Sequence, residues 1–118
     1  MKKKIICGIT GHTGSIGKNL VKKSTFKFIF FKDDMKNFSS VERWIKKNKF
    51  DIIIHLAAIV PIKVVNENKK KAFDVNVLGT KNLVKAIVKN KHNIKWIFFS
   101  STSHVYSSTK KKLKKIVQ

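Results

Sequence analysis

One cysteine, one proline, one arginine and six acidic residues are all that this chain of 118 residues has of those types. The lone Cys7 rules out an intrachain disulfide and a cysteine-rich metal site. Set inside an apolar run, it reads as a buried, inert thiol. Long hydrophobic runs are missing as well: the stretch from Ile52 to Ile62 is interrupted by His55 and Pro61 and cannot span a bilayer. Met1-Lys2-Lys3-Lys4 imitates the basic start of a signal peptide, but the apolar residues behind it stop at Thr10-Gly11-His12, too soon for a cleavable core. The simplest reading is a cytoplasmic protein with no membrane partner. At this length it is one domain at most, with room for a real core but little for a separate substrate site.

Acidic residues are so few that 27 Lys and Arg leave a net charge of +21. Such a charge invites a nucleic-acid reading. The scarcity of arginine argues against it, because only Arg43 offers the guanidinium fork suited to bidentate phosphate and base recognition. The lysines are spread along the whole length. Together with abundant Ile, Asn and Phe and a single Pro, they are what A/T-rich codons produce. We read them as a solvated surface that gives salt-sensitive, non-specific polyanion binding and no specific nucleic-acid partner. His12, His55, His92 and His104 lack metal-ligand spacing and are expected to be structural or solvent-facing.

What is present is organised around Thr10-Gly11-His12-Thr13-Gly14-Ser15-Ile16-Gly17. An apolar run precedes it and a helical pattern follows, the order of a dinucleotide-binding βα turn. Gly11 permits the tight turn, Gly14 lets a pyrophosphate approach the backbone, and Gly17 lets the helix pack on the sheet. The spacing is G-x-x-G-x-x-G rather than G-x-G-x-x-G, and an ordinary βα turn with packing glycines is the competing reading.

Along the chain, a first strand is expected over about 4–10 and a helix over about 15–23, with Ile16, Leu20 and Val21 inward. A second strand is expected over 26–31 and a loop at Asp33-Asp34-Met35. A helix should start at Ser39, where Ser39 and Glu42 have capping-box spacing, and turn Val41, Trp44 and Ile45 to the sheet. A buried strand follows over 51–58. A long helix is expected over about 66–89, with Phe73, Val77, Thr80, Val84 and Ile87 at helical spacing. A last strand covers 95–100. Strand–helix alternation gives an α/β, doubly wound parallel sheet, Rossmann-like and incomplete, with helices on both faces. Residues 1–106 form the dinucleotide-binding domain and 107–118 a lysine-rich tail.

In such a sheet, ligands lie beyond the carboxyl ends of the strands. Those ends carry Thr10-Gly11, Asp33-Asp34, Ala57-Ala58 and Ser100-Ser101-Thr102. A carboxylate after the second strand can accept from ribose hydroxyls or the adenine amino group, whereas Lys32 beside it suits a ribose phosphate. NAD and NADP therefore both stay open as cofactors, with NAD slightly favoured.

Four further stretches complete a resemblance: Asp34-Met35, Asp51 to Ala58, Asp74-Val75-Asn76-Val77-Leu78-Gly79-Thr80, and Phe99 to Tyr106. With the glycine turn, they occur in the order found in the extended short-chain dehydrogenase/reductase family, the NAD-dependent epimerases and dehydratases of nucleotide sugars. The chain resembles that family over nearly all of residues 4–106. The resemblance implies that Gly11, Gly14 and Gly17, with Thr13, Ser15 and Ile16, hold the pyrophosphate. By the same resemblance, Asp34 and Met35 contact the adenine, and Leu56, Ala57 and Ala58 line the site. Asn76 and Ser100 lie on the cofactor side, and Thr102 is the catalytic residue that orients the sugar oxygen.

The chain also departs from the family. The family's proton-transferring Tyr, with a Lys four positions later, normally follows the Ser or Thr by about two dozen residues, which is beyond residue 118. Tyr106 and Lys110 have the Y-x-x-x-K spacing, but Tyr106 matches the strand-end Val-Tyr pair and is not the catalytic tyrosine. The expectation is therefore the cofactor-binding front portion of a longer epimerase, dehydratase or reductase, inactive alone and with its oligomeric state open. A non-catalytic dinucleotide-binding or sensing module is the first alternative, and a nucleic-acid-binding protein driven by charge is the second. The segment from Val21 to Asp34 is short for two strands, so one strand on the adenosine side is expected to be merged or lost.

Overall fold

The computed structural model describes residues 3–58, 66–90 and 93–100. Strand β1 (Ile6–Thr10) is followed by helix α1 (Ser15–Lys23), β2 (Lys27–Phe30), α2 (Phe38–Lys47) and β3 (Ile52–His55). Helix α3 (Lys69–Phe73) then runs through a π-helical turn (Asp74–Leu78) into α4 (Gly79–Lys89), and β4 (Trp96–Phe99) closes the order. The four strands form one parallel sheet in the order β2-β1-β3-β4. A single strand separates α1 from α2, and among the described residues β2 is the edge of the sheet on that side.

The sheet is covered on both faces because its central strands are apolar on both. Cys7, Ile9 and Ile54 form one core layer, packed with Leu20 and Val21 of α1 and with Phe26, Phe28 and Phe30. On the opposite face, Val41, Trp44 and Ile45 of α2 join Leu83, Ala86 and Ile87 of α4 over Ile53, Phe31, Met35 and Phe50. Gly8 leaves the space in β1 against which the Phe50 and Trp44 rings pack. At the other end of the strands, the Asp51 carboxylate accepts from the Ile6 amide at 2.8 Å and ties β3 to β1.

Three expectations need correction. Ile16 does not face the sheet: it is 64% exposed, and the buried residue of α1 is Gly17. Ser39 is not the cap of α2. Asn37 caps it, accepting from the Ser40 amide at 3.3 Å, and Glu42 instead engages Lys46, Lys89 and Asn90. The long helix is not one continuous α-helix, and Phe73, Val77 and Val84 are exposed, while Leu83 and Ala86 fill the core. The π-helical turn adds one residue to a turn and rotates everything after it relative to a uniform period. Among the described residues β4 is a sheet edge with Trp96, Phe98 and Phe99 exposed.

Candidate functional site at the carboxyl ends of the strands

The glycine turn leaves β1 at Gly11, whose φ of 77° is in the left-handed region. Its open Cα face abuts the Leu56–Ala57 peptide, 2.6 Å from where a β-carbon would stand. Gly17 is also required, because a side chain there would run into the Gly11 carbonyl and the His12 backbone. Gly14 is different. It has an ordinary φ of −74°, caps α1, and a β-carbon there would meet only the Gly11 carbonyl oxygen, 3.6 Å away. Neither conformation nor packing accounts for Gly14. Its missing side chain leaves open space beside the free N–H groups that begin α1, the arrangement that receives a phosphate. Thr13, Ser15 and Ile16 are exposed around that opening.

Of the acidic pair after β2, Asp34 is exposed and accepts from the Lys36 amide at 2.9 Å while its other oxygen meets Lys36 Nζ at 3.5 Å. Met35 is buried, its side chain in the core under Gly79 and its carbonyl accepting from Asn82 Nδ2 at 2.9 Å. Leu56 and Ala57 are half-buried behind the glycine turn and Ala58 is exposed. Asn76 lies half-buried in the π-helical turn, and Ser100 is exposed just past β4. Thr102, Tyr106, Lys110 and the tail 107–118 lie outside the described residues.

Sequence reasoning missed a line of polar side chains beneath this rim. Thr10 and His55 end β1 and β3 as paired residues, both buried. Thr10 Oγ1 lies 2.6 Å from His55 Nδ1, and His55 Nε2 lies 2.9 Å from Thr80 Oγ1. Thr80 in turn donates to the Asn76 carbonyl at 2.9 Å, while Thr10 Oγ1 accepts from the amides of Leu56 and Ala57, each at 3.2 Å. Burial lowers the pKa of His55 and favours the neutral ring. The available signal was a histidine and a threonine, each ending an otherwise apolar buried strand. Burial also pushes the Cys7 thiol up to about 11, which keeps it unreactive. Among the described residues no group of His, Cys, Asp and Glu could hold a metal, and no helix is long and apolar enough to cross a membrane.

The model of the GDP-mannose 4,6-dehydratase family matches residues 17–115. A bifunctional UDP-glucose and UDP-xylose 4-epimerase of Pisum sativum is 34% identical over 96 residues, covering 81% of this chain and 26% of that protein. A GDP-6-deoxy-D-talose 4-dehydrogenase of Aggregatibacter actinomycetemcomitans is also 34% identical, over 89% of this chain and 38% of its own length. Among solved structures, the UDP-glucose 4-epimerase of Thermus thermophilus in complex with NAD superposes with a TM-score of 0.61 at 26% identity. It is matched over 74% of this chain and 35% of its own. The dTDP-4-dehydrorhamnose reductase of Bacillus anthracis in complex with NADP shares the fold, with a TM-score of 0.71 at 24% identity over 80% of this chain and 36% of its own. The chain thus spans well under half the length of each of these relatives.

Proposed function

Since the chain belongs to the GDP-mannose 4,6-dehydratase family, within the extended short-chain dehydrogenases/reductases, we propose that it is the dinucleotide-binding portion of a nucleotide-sugar enzyme. That enzyme moves hydride between a sugar carbon and nicotinamide. The observation that carries the reading is Gly14: two glycines of the turn are explained by strain and packing, and the third leaves open space at a helix N-terminus. A turn that served packing alone has no use for that space.

Gly11, Gly14 and Gly17, with Thr13, Ser15 and Ile16, would hold the pyrophosphate. Asp34, once its carboxylate turns from Lys36, would accept from the adenosine ribose, with Met35 backing that side from the core. Leu56, Ala57 and Ala58 would line the middle of the site, and Asn76 and Ser100 the side nearer the nicotinamide. The bound nucleotide supplies the hydride acceptor and donor. Thr102 is our candidate for the residue that orients the sugar oxygen. NAD is favoured over NADP by the Asp34 carboxylate, which would repel a ribose phosphate. The single buried thiol accords with a cytoplasmic location.

Calorimetric titration with NADH and then NADPH, near physiological salt and with ATP as a polyanion control, tests this reading. Saturable binding of one dinucleotide, absent in Gly14→Asp and unmatched by ATP, is the expected result. A folded wild-type chain that binds neither nucleotide refutes it.

A further inference from the structure

The hydrogen bonds at the carboxyl ends of the strands form a line whose direction can be read from both of its termini. At one end the Asn76 carbonyl can only accept, so the single hydroxyl proton of Thr80 is committed to it. Thr80 Oγ1 must then accept from His55, which places a proton on Nε2. At the other end, Thr10 Oγ1 accepts from the amides of Leu56 and Ala57, leaving its own proton for His55 Nδ1. Both termini require the same tautomer, neutral and protonated at Nε2 only. The polar and ring partners of His55 are Thr10 on β1, Thr80 on α4 and the Phe99 ring on β4, 5.8 Å away between centroids. None of them carries a charge.

The line ends where the glycine turn rests. The amides that Thr10 Oγ1 receives belong to Leu56 and Ala57, the segment that Gly11 abuts and into which no β-carbon fits. Any shift of that segment moves the floor of the turn and with it the opening at Gly14. We propose that His55 is a positioning residue of the dinucleotide site, acting through Thr10 to hold the Leu56–Ala57 segment under the glycine turn, with Thr80 fixing the tautomer in which Nδ1 accepts from Thr10. The inference rests on the dinucleotide reading of the site and adds to it the residues that set its geometry.

The test uses the full 118-residue chain and two substitutions that each keep half of the imidazole. His55→Asn puts an acceptor where Nδ1 stands and keeps the Thr10 end. His55→Gln reaches towards Thr80 with a donor and leaves Thr10 without its acceptor. Binding of NADH to His55→Asn should stay within about threefold of wild type, and binding to His55→Gln should fall by about tenfold, the worth of one hydrogen bond to a buried group. Thr10→Val, which removes the oxygen but keeps the shape, should match His55→Gln. Nitrogen-15 NMR of histidine-labelled wild-type chain should show His55 protonated at Nε2 with Nδ1 as acceptor. A folded His55→Gln that binds as wild type, or a ring protonated at Nδ1, overturns the inference while leaving the dinucleotide reading intact. A folded wild type that binds no dinucleotide overturns that reading, and the positioning role with it.

Discussion

Gly11 and Ala57 approach so closely that a β-carbon on the glycine would stand 2.6 Å from the alanine amide nitrogen. This contact joins the glycine turn to the end of β3, and it coincides with a left-handed φ of 77°. Strain and collision therefore act on the same atom. Gly11→Ala should destabilise the chain by at least about 2 kcal/mol, the cost of a left-handed non-glycine residue plus a displaced peptide. Chemical denaturation measures it, with Gly14→Ala as a control expected to cost far less. Equal losses at the two positions would contradict the geometry.

Helix α2 offers a cleaner contrast. Asn37→Ala removes the side chain that accepts from the Ser40 amide and should cost about 1 kcal/mol. Ser39→Ala, at the position the capping-box spacing favours, touches no cap in the structure and should be close to neutral. Urea midpoints of the two variants decide between them.

Stability should fall on acidification in two stages. The folded pKa of His55 is lowered by burial, so its contribution is complete above the unfolded value of about 6.5 and is lost as pH falls from there through the folded value. Glu42 is held below the usual carboxylate range by its hydrogen bond from Lys89, helped by Asn90 and Lys46. Its contribution is present above the unfolded carboxylate pKa and is lost at lower pH, through the folded value. Thermal melts between neutral and acidic pH should lose the upper stage in His55→Asn and the lower one in Glu42→Gln. Raised salt should shrink the Glu42 stage, because its partners are exposed lysines.

Incubated with NAD and UDP-glucose, the 118-residue chain should produce no UDP-galactose detectable by NMR. The prediction follows from our proposal that Tyr106 and Lys110, despite their Y-x-x-x-K spacing, are not the proton-transfer pair. Turnover abolished by Tyr106→Phe would reverse that assignment.

Much of this was legible in the residues themselves. The continuous apolar run at Ile52-Ile53-Ile54 is what a strand covered on both faces requires, and Val41, Trp44 and Ile45 mark the inner face of α2 at helical spacing. The glycine turn was marked by its spacing and lies, as expected, between the first strand and the first helix. Other features were decided by contacts that no local pattern encodes. Ile16 fits an amphipathic period, yet α1 approaches the sheet through Gly17 and leaves Ile16 outside. Asn37 takes the cap from Ser39 because the helix begins two residues earlier than the capping box suggests. The His55 line joins residues 45 and 25 positions apart, a separation at which spacing carries no signal.

The wide turn at Asp74–Leu78 has a geometric consequence for the whole molecule. One inserted residue turns the following helix by about 100° relative to an uninterrupted one. Delete it, and Thr80 swings away from His55 while Leu83, Ala86 and Ile87 rotate off the sheet together. The turn thus works as a phase adjuster between α3, which buries Ala72 before it, and α4, which carries Thr80, Leu83, Ala86 and Ile87 on one face after it.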